Sequence, residues 1–431
     1  MSQTATLRTA GALEKHPRGL FVLFFTEMWE RFSFYTVGAM YVLYVQDSTQ
    51  GFGWTREMAT SVYSTYLMFV YASPFIGGLI ADLKLGYRRS VMIGGFFFMA
   101  GHALLAFKSV PIMYAALACL VIGNGFFKPN VSAMVGNLYA EGSHLKDRAY
   151  NIFYMGINVG AFLAPVVAEF MKAKFGFHPA FAMGALGMVI SVSVLGYFKK
   201  DVLMADRRPG VQAIAAADRR PIDDIPDSRR VGALLVIFVV VIVFWMVFHQ
   251  NQVSLTYWGN DNTDWNVTGI ISNAINPAWV LILTFPLIAF WRFLDKRGKE
   301  PSTPTKMAIG MVLTGLAFFV MYFAGRAGGD VGKVSPWWLV GAYGVLTLGE
   351  LMLSPMGLSL VSKVAPQRFR GVMMGGWFVA TAIGNKLTMI AIFWDRWLHS
   401  TFFAVLGACA LAMSVVLMLL LKPLKKAMPG I

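Results

Sequence analysis

The sequence predicts an all-α integral membrane protein with twelve transmembrane helices arranged as two six-helix bundles. Three observations lead there. Of its 431 residues, 57% are hydrophobic and only 14% are charged, whereas a soluble globular chain is nearer a quarter charged. The apolar residues gather into runs of about 20 or more, the length that crosses a hydrocarbon core, and the short alternating strands of a membrane barrel are not visible. One long polar stretch, residues 199–230, divides those runs six and six.

The twelve spans fall near 20–46, 56–82, 89–107, 111–137, 148–171, 178–198, 231–257, 266–291, 307–325, 336–362, 371–394 and 400–421. The first is too long for the apolar part of a signal peptide and lacks a small-residue cleavage site, so no cleaved signal is expected. With the N-terminus inside, the cytoplasmic segments carry most of the 37 Lys and Arg residues, the charge bias that orients helical membrane proteins. The formal net charge of +15 therefore sets topology and does not call for a nucleic-acid partner. Both termini are expected in the cytoplasm. Residues 199–230, "KKDVLMADRRPGVQAIAAADRRPIDDIPDSRR", read as a charged, proline-bearing cytoplasmic linker between bundles 1–198 and 231–431. Cys119 and Cys409 stand alone in separate spans and read as small buried hydrophobes rather than a disulfide or metal site.

Against this background the polar residues inside spans carry the information. "FTEMWERFSFY" places Glu27, Glu30 and Arg31 in the first span. Their i, i+3, i+4 spacing puts them on one helix face, which Tyr35 continues. A charge at mid-membrane costs about 3 kcal/mol even on lenient scales, and such groups line proton or substrate paths by default. The bland alternative is a Glu–Arg pair that only fixes packing, but it leaves the third charge unexplained. Lys128 in "GNGFFKPNVSAMVGN" and Glu350 in "TLGELMLSPMGLSL" give the two halves opposite poles, suited to a zwitterion bearing an amine and a carboxylate. Alternatively the two pair with each other, which would serve gating. Tyr154 and Asn158 lie one turn apart in the fifth span, and Asn276 lies in the eighth. Taken singly, each Asn reads as an interhelix hydrogen bond before a ligand contact. Tyr66 and Trp377 fit packing or a pocket wall equally. His102 and Lys386 are expected to be buried without an assigned role, and Glu169 to be solvated at the outer end of its span.

The plan of two six-helix halves and the loop "GGLIADLKLGYRRS" resemble the major facilitator superfamily, whose substrate site lies near the membrane midplane between the halves. Within it, "EMWERFSFY", "FYMGINVGAFLAP", "FFKPNVS", "GELMLSP" and "APQRFRGVMMGGWF" are similar to motifs of the proton-dependent oligopeptide transporter family, and they cover both halves. The resemblance implies a proton-coupled symporter that imports di- and tripeptides by alternating access. It further implies that the protein is neither an enzyme nor a metal protein, uses protons as the coupling ion and no other cofactor, and works as a monomer in a bacterial cytoplasmic (inner) membrane. By motif match, Glu27, Glu30, Arg31 and Lys128 would couple protons. Tyr35, Tyr66, Lys128, Asn158, Asn276, Glu350 and Trp377 would bind the peptide, with Lys128 at its carboxylate and Glu350 at its amine.

Three positions depart from the family pattern. Phe34 replaces a Tyr, Gly38 stands where an Arg is frequent, and His249 in "FWMVFHQNQ" stands where an acid is frequent. The last two are expected to be a jointly missing ion pair between spans 1 and 7. The linker is too short for the two additional helices found in many bacterial members. Two rival functions remain at this level. A major facilitator for nitrate, a sugar or a drug is one, although Glu350 disfavours an anion-only substrate and a sugar satisfies neither pole. A membrane enzyme or receptor is the other, but no nucleophile–base grouping, metal-spaced cluster or phosphate loop stands out.

Overall fold

The computed structural model describes residues 16–139, 145–206, 225–353, 357–366 and 370–428. The first six spans are single helices: α1 (Arg18–Gln46), α2 (Arg56–Ile80), α3 (Tyr87–Leu105), α4 (Val110–Asn137), α5 (Leu145–Phe175) and α6 (Phe177–Tyr197). Span 7 is α7 (Asp227–Phe248), a 3-10 turn at His249–Gln252, and α8 (Ser254–Asp261). Span 8 is a 3-10 turn at Gly269–Ala274 running into α9 (Ile275–Asp295), and span 9 is α10 (Thr303–Ala327). Span 10 holds α11 (Pro336–Leu353) and α12 (Gly357–Val364), with residues 354–356 between them outside the described residues. Span 11 is α13 (Arg370–Leu387) with a 3-10 turn at Thr388–Phe393, and span 12 is α14 (His399–Ala427). All twelve expected spans are present. Among the described residues, nine helical segments are long and apolar enough to cross a membrane by composition alone. The 29-residue α1 is not in that set, although it is about 43 Å long at 1.5 Å per residue; it carries Glu27, Glu30 and Arg31. Most of the linker, residues 207–224, lies outside the described residues.

The breaks in the spans have local causes. At His249–Gln252 four polar side chains occur in succession and the helix tightens, ending at Val253 (φ −128°, ψ −87°). Backbone freed at membrane depth must find partners inside the protein. Here the Asn251 carbonyl accepts from the Thr256 hydroxyl at 3.0 Å and from Tyr343 at 3.2 Å. Gln250 Nε2 donates to the Thr388 carbonyl at 3.1 Å, in the turn that breaks span 11. At the loop after α2, Asp82 accepts from the Tyr87 hydroxyl at 2.8 Å, and Arg88 pairs with Asp206 beyond α6 at 3.7 Å.

The helices α1–α6 pack on one another, with α1 against α5 and α6, α2 against α4, and α3 against α4 and α6. In the same way α10 packs on α11 and α14, and α7 on α13 and α14. The two sets meet along α2 and α13 on one side and along α5 with α9 and the 269–274 turn on the other. Gly160 of α5 admits α1: a Cβ there would lie 3.1 Å from Arg31 Cβ and 3.0 Å from the Phe32 amide nitrogen. That close approach seats the charged face of α1 inside its bundle.

Candidate functional site

The charged face of α1 is buried. Glu27 is 1% exposed, Glu30 0% and Arg31 2%. The two carboxylates are not equivalent. Glu30 is held by both ends of the Arg31 fork: Nη2 donates to Oε1 at 2.5 Å, and Nε donates to Oε2. Glu27 has only its Oε1 near Arg31 Nε, at 3.3 Å, and its Oε2 is buried without a hydrogen-bond partner among the described residues. Arg31 Nη2 also donates to Asn124 Oδ1 on α4 at 3.3 Å, while Asn124 Nδ2 donates to the Val70 carbonyl on α2 at 2.7 Å. Asn124 thus ties three helices around the guanidinium, which lies 4.8 Å from the centre of the Phe34 ring.

Lys128, one turn beyond Asn124 on α4, completes the cluster and lies in the electrostatic field of Glu27, Glu30 and Arg31. Its ammonium sits 4.9 Å from the centre of the Tyr71 ring, a contact that partly offsets the lost hydration of a cation. Tyr66 is buried and packs at 6.0 Å on Tyr63, within the field of Arg31 and Glu30.

The opposite pole is on α11. Glu350 Oε2 accepts from Asn276 Nδ2 at 2.9 Å, and the same amide donates to Thr347 at 2.9 Å. Asn276 therefore makes the interhelix bonds read from its position, and in doing so fixes the carboxylate. Tyr35, Tyr71 and Tyr154, on α1, α2 and α5, lie within electrostatic reach of Glu350 across the two halves. Among the described residues Lys128 and Glu350 form no ion pair, and the alternative in which they hold one another is not the arrangement present. Among the described residues Asn158 bonds within its own helix, to the Tyr154 carbonyl at 2.9 Å, and not between helices. Trp377 is buried edge-on against Phe238 at 6.4 Å.

Sequence reasoning missed Asn124 and Tyr71. The i, i+4 spacing of Asn124 and Lys128 was a usable signal for the first. Nothing local marks Tyr71, whose role depends on where α4 sits.

Residues 88–200 and 197–394 match the POT family. The chain is 32% identical to the uncharacterized transporter YclF of Bacillus subtilis (strain 168), over 96% of each protein. It is 29% identical to a di-/tripeptide transporter of Lactococcus lactis subsp. cremoris, again over 96% of each. Its structure matches a crystal structure of a mutant peptide transporter POT in complex with sulfate, with a TM-score of 0.88, 31% identity, and coverage of 98% of this chain and 97% of the other. The chain belongs to the POT family. The fold is the major facilitator fold of those transporters.

In this POT family member the missing Arg–acid pair is replaced by other contacts. The group opposite Gly38 is not His249. A Cβ on Gly38 would lie 2.7 Å from Gln252 Nε2 and 3.3 Å from the Tyr63 hydroxyl, and Tyr63 donates to Gln252 Oε1 at 3.0 Å. His249 points elsewhere, stacked on Trp245 at 5.0 Å and against Tyr71 at 5.4 Å, with Lys128 and Gln252 as its polar surroundings.

Further along the same end, Thr60 bonds Tyr257 at 3.1 Å and Lys386 donates to Thr65 at 2.7 Å. Arg56 pairs with Asp395 at 2.8 Å and also with Asp261, and Arg396 pairs with Glu57 at 2.6 Å. Glu169 corrects an expectation. It is buried, and its carboxylate accepts from the Thr268 amide at 2.8 Å and the Thr268 hydroxyl at 2.5 Å; the turn after residue 268 folds over the end of α5. His102 is buried too, sharing a hydrogen bond with Ser33 between α3 and α1.

Among the described residues, these hydrogen bonds and ion pairs between α1–α6 and α7–α14 lie at the end bearing the loops after α1, α8 and α13. Exposed ion pairs are each worth under about 1 kcal/mol, so this closure is breakable. Arg56→Ala removes two of the pairs at once. It is expected to raise the reaction rate of a membrane-impermeant thiol reagent with a cysteine at position 65 by about fivefold, measured in a chain with Cys119 and Cys409 replaced. An unchanged rate would show that the pairs do not hold this end shut.

Proposed function

We propose that the protein is a proton-coupled symporter that imports di- and tripeptides by alternating access. The observation that carries this reading is the arrangement of poles. A net-balanced cluster of two acids and two cations lies in one half, and a Glu350 carboxylate fixed by Asn276 lies in the other. A peptide's carboxylate suits Lys128 and Arg31, and its ammonium suits Glu350. Tyr35, Tyr66 and Asn158 are assigned to the peptide backbone and Trp377 to a side-chain wall. Residues 1–198 and 231–431 act as the two rocking bundles and 199–230 as their linker. The latched end is taken as the outer one, with both termini cytoplasmic, which makes the conformation inward-facing. The chain acts as a monomer in a bacterial cytoplasmic membrane, without enzymatic activity.

Counterflow in proteoliposomes tests the reading. Liposomes loaded with unlabelled dialanine should take up labelled dialanine, and di- and tripeptides should compete while glucose and nitrate should not. An imposed inward proton gradient should drive net accumulation. Competition by glucose or nitrate equal to that by peptides would overturn the peptide assignment.

The outer closure yields a second expectation. Gly38→Arg should impair dipeptide uptake about tenfold or more, because the new side chain must displace Gln252 and leaves a cation unpaired. Adding Gln252→Glu should restore part of the loss, and adding His249→Glu should restore less. Equal rescue by both would show that positions 38 and 252 do not face each other.

A further inference from the structure

The end of the molecule opposite the latches carries a second feature, which the transport reading does not use. A groove of about 440 Å³ opens between the first turns of α7 and the last turns of α14. Its floor is apolar, formed by Val236, Leu420 and Leu424, and its mouth holds Arg229 and Lys426. Gly232 borders open space, since a Cβ there would meet nothing within 4 Å. Arg229 and Lys426 are exposed, as are Lys422 and Lys425 beside them on α14. The neighbouring Arg230 is committed to its own bundle, donating to the Val364 carbonyl at 2.7 Å and the Ala365 carbonyl at 3.0 Å. The nearest acid in sequence is Asp227, at the start of α7.

We propose that this groove binds an anionic phospholipid, with the acyl chain on the apolar floor and the phosphate between Arg229 and Lys426. At the ends of two membrane-spanning helices the groove lies where lipid headgroups would reach it, and its composition would select among them. Two cations at the mouth with an apolar floor fit a headgroup of net negative charge at the membrane surface. A zwitterionic headgroup brings its own ammonium against Arg229 and Lys426 and gains less. An apolar slot without the cations would take any acyl chain, and cations without the slot would take free phosphate. The leaflet assignment rests on the orientation proposed above: with the termini inside, the groove lies in the cytoplasmic leaflet, where the basic surplus is.

Native mass spectrometry of the full chain in detergent tests the site without reference to orientation or transport, so its failure is separable from failure of the transport reading. The probes are phosphatidylglycerol and phosphatidylcholine with identical acyl chains, and inorganic phosphate as competitor. The expected result is preferential retention of phosphatidylglycerol, falling by about fivefold for each cation removed in Arg229→Gln and Lys426→Gln. Gly232→Leu fills the open space and should reduce retention of both lipids while the protein remains monodisperse. Inorganic phosphate should not displace the lipid. Equal retention of the two lipids, phosphatidylglycerol retention unchanged in the charge variants, or displacement by inorganic phosphate would each overturn the proposal.

Discussion

Glu27→Gln is expected to abolish proton-driven accumulation of dipeptide while leaving counterflow exchange. For each proton carried, a gradient of one pH unit supports accumulation of up to about tenfold; the variant should hold the internal and external concentrations equal under the same gradient. The reasoning rests on the asymmetry of the two acids. Both oxygens of Glu30 are engaged by Arg31, so a proton there would displace a bidentate charge-assisted contact, among the strongest available to a side chain. Glu27 has one oxygen without a hydrogen-bond partner among the described residues, and a proton can reside on it with none of those bonds lost. Lys128 lies in the field of the same carboxylate. A peptide carboxylate that engages Lys128 withdraws that cation from Glu27 and favours proton uptake, so substrate and proton load together. Glutamine keeps the shape of the protonated acid and cannot release a proton, which leaves exchange possible and coupling lost. Glu30→Gln should behave differently: either change removes one acid, but this one also breaks the two-point contact that holds the buried Arg31, and breaking a buried pair costs about 3–5 kcal/mol, so it should reduce folded protein as well as transport. Uphill accumulation by Glu27→Gln equal to that of the natural chain would remove Glu27 from the coupling step.

The charged face of α1 was legible because it violates its surroundings. Acids within an apolar span have few innocent explanations, and the i, i+3, i+4 spacing assigns them one face. The spans were legible for the complementary reason, since length and apolarity are set by the bilayer and not by partners. The breaks within spans were not. "HQNQ" is compatible with a continuous helix until Thr256, Tyr343 and Thr388 are in place to satisfy the freed backbone and side chains. The residue facing Gly38 is Gln252, at the end of that break, and not His249. Glu169 was misjudged for a related reason. Its distance along the span suggested solvent, but solvation there depends on the 269–274 turn, which belongs to the other half of the chain. Lys386 had no role in sequence because its partner, Thr65, is more than 300 residues away. Motif residues announce themselves by residue type; contacts across the two halves are set by the packing of distant segments.

Glu350→Ala is expected to weaken peptides with a free amino terminus by about thirtyfold or more, and N-acetylated peptides far less, in competition against labelled dialanine counterflow. Glu350 is the acid of the second half that lies within electrostatic reach of Tyr35, Tyr71 and Tyr154. Its Oε2 is fixed by Asn276, which leaves Oε1 for a ligand. A charge-assisted contact in a site of this kind is worth about 2 kcal/mol or more when one partner is truncated, largely because the other charge is then buried unpaired. An N-acetylated peptide brings no ammonium, so it has no such charge to strand. The variant should therefore flatten the difference between the two ligands rather than lower both in parallel. Asn276→Ala provides the internal comparison. It keeps the carboxylate but frees its orientation, so the same preference for a free amine should survive in reduced form. Equal loss for free and acetylated peptides in Glu350→Ala would show that Glu350 acts on the protein and not on the ligand's amine, and the second pole of the site would have to be sought elsewhere on α9–α13.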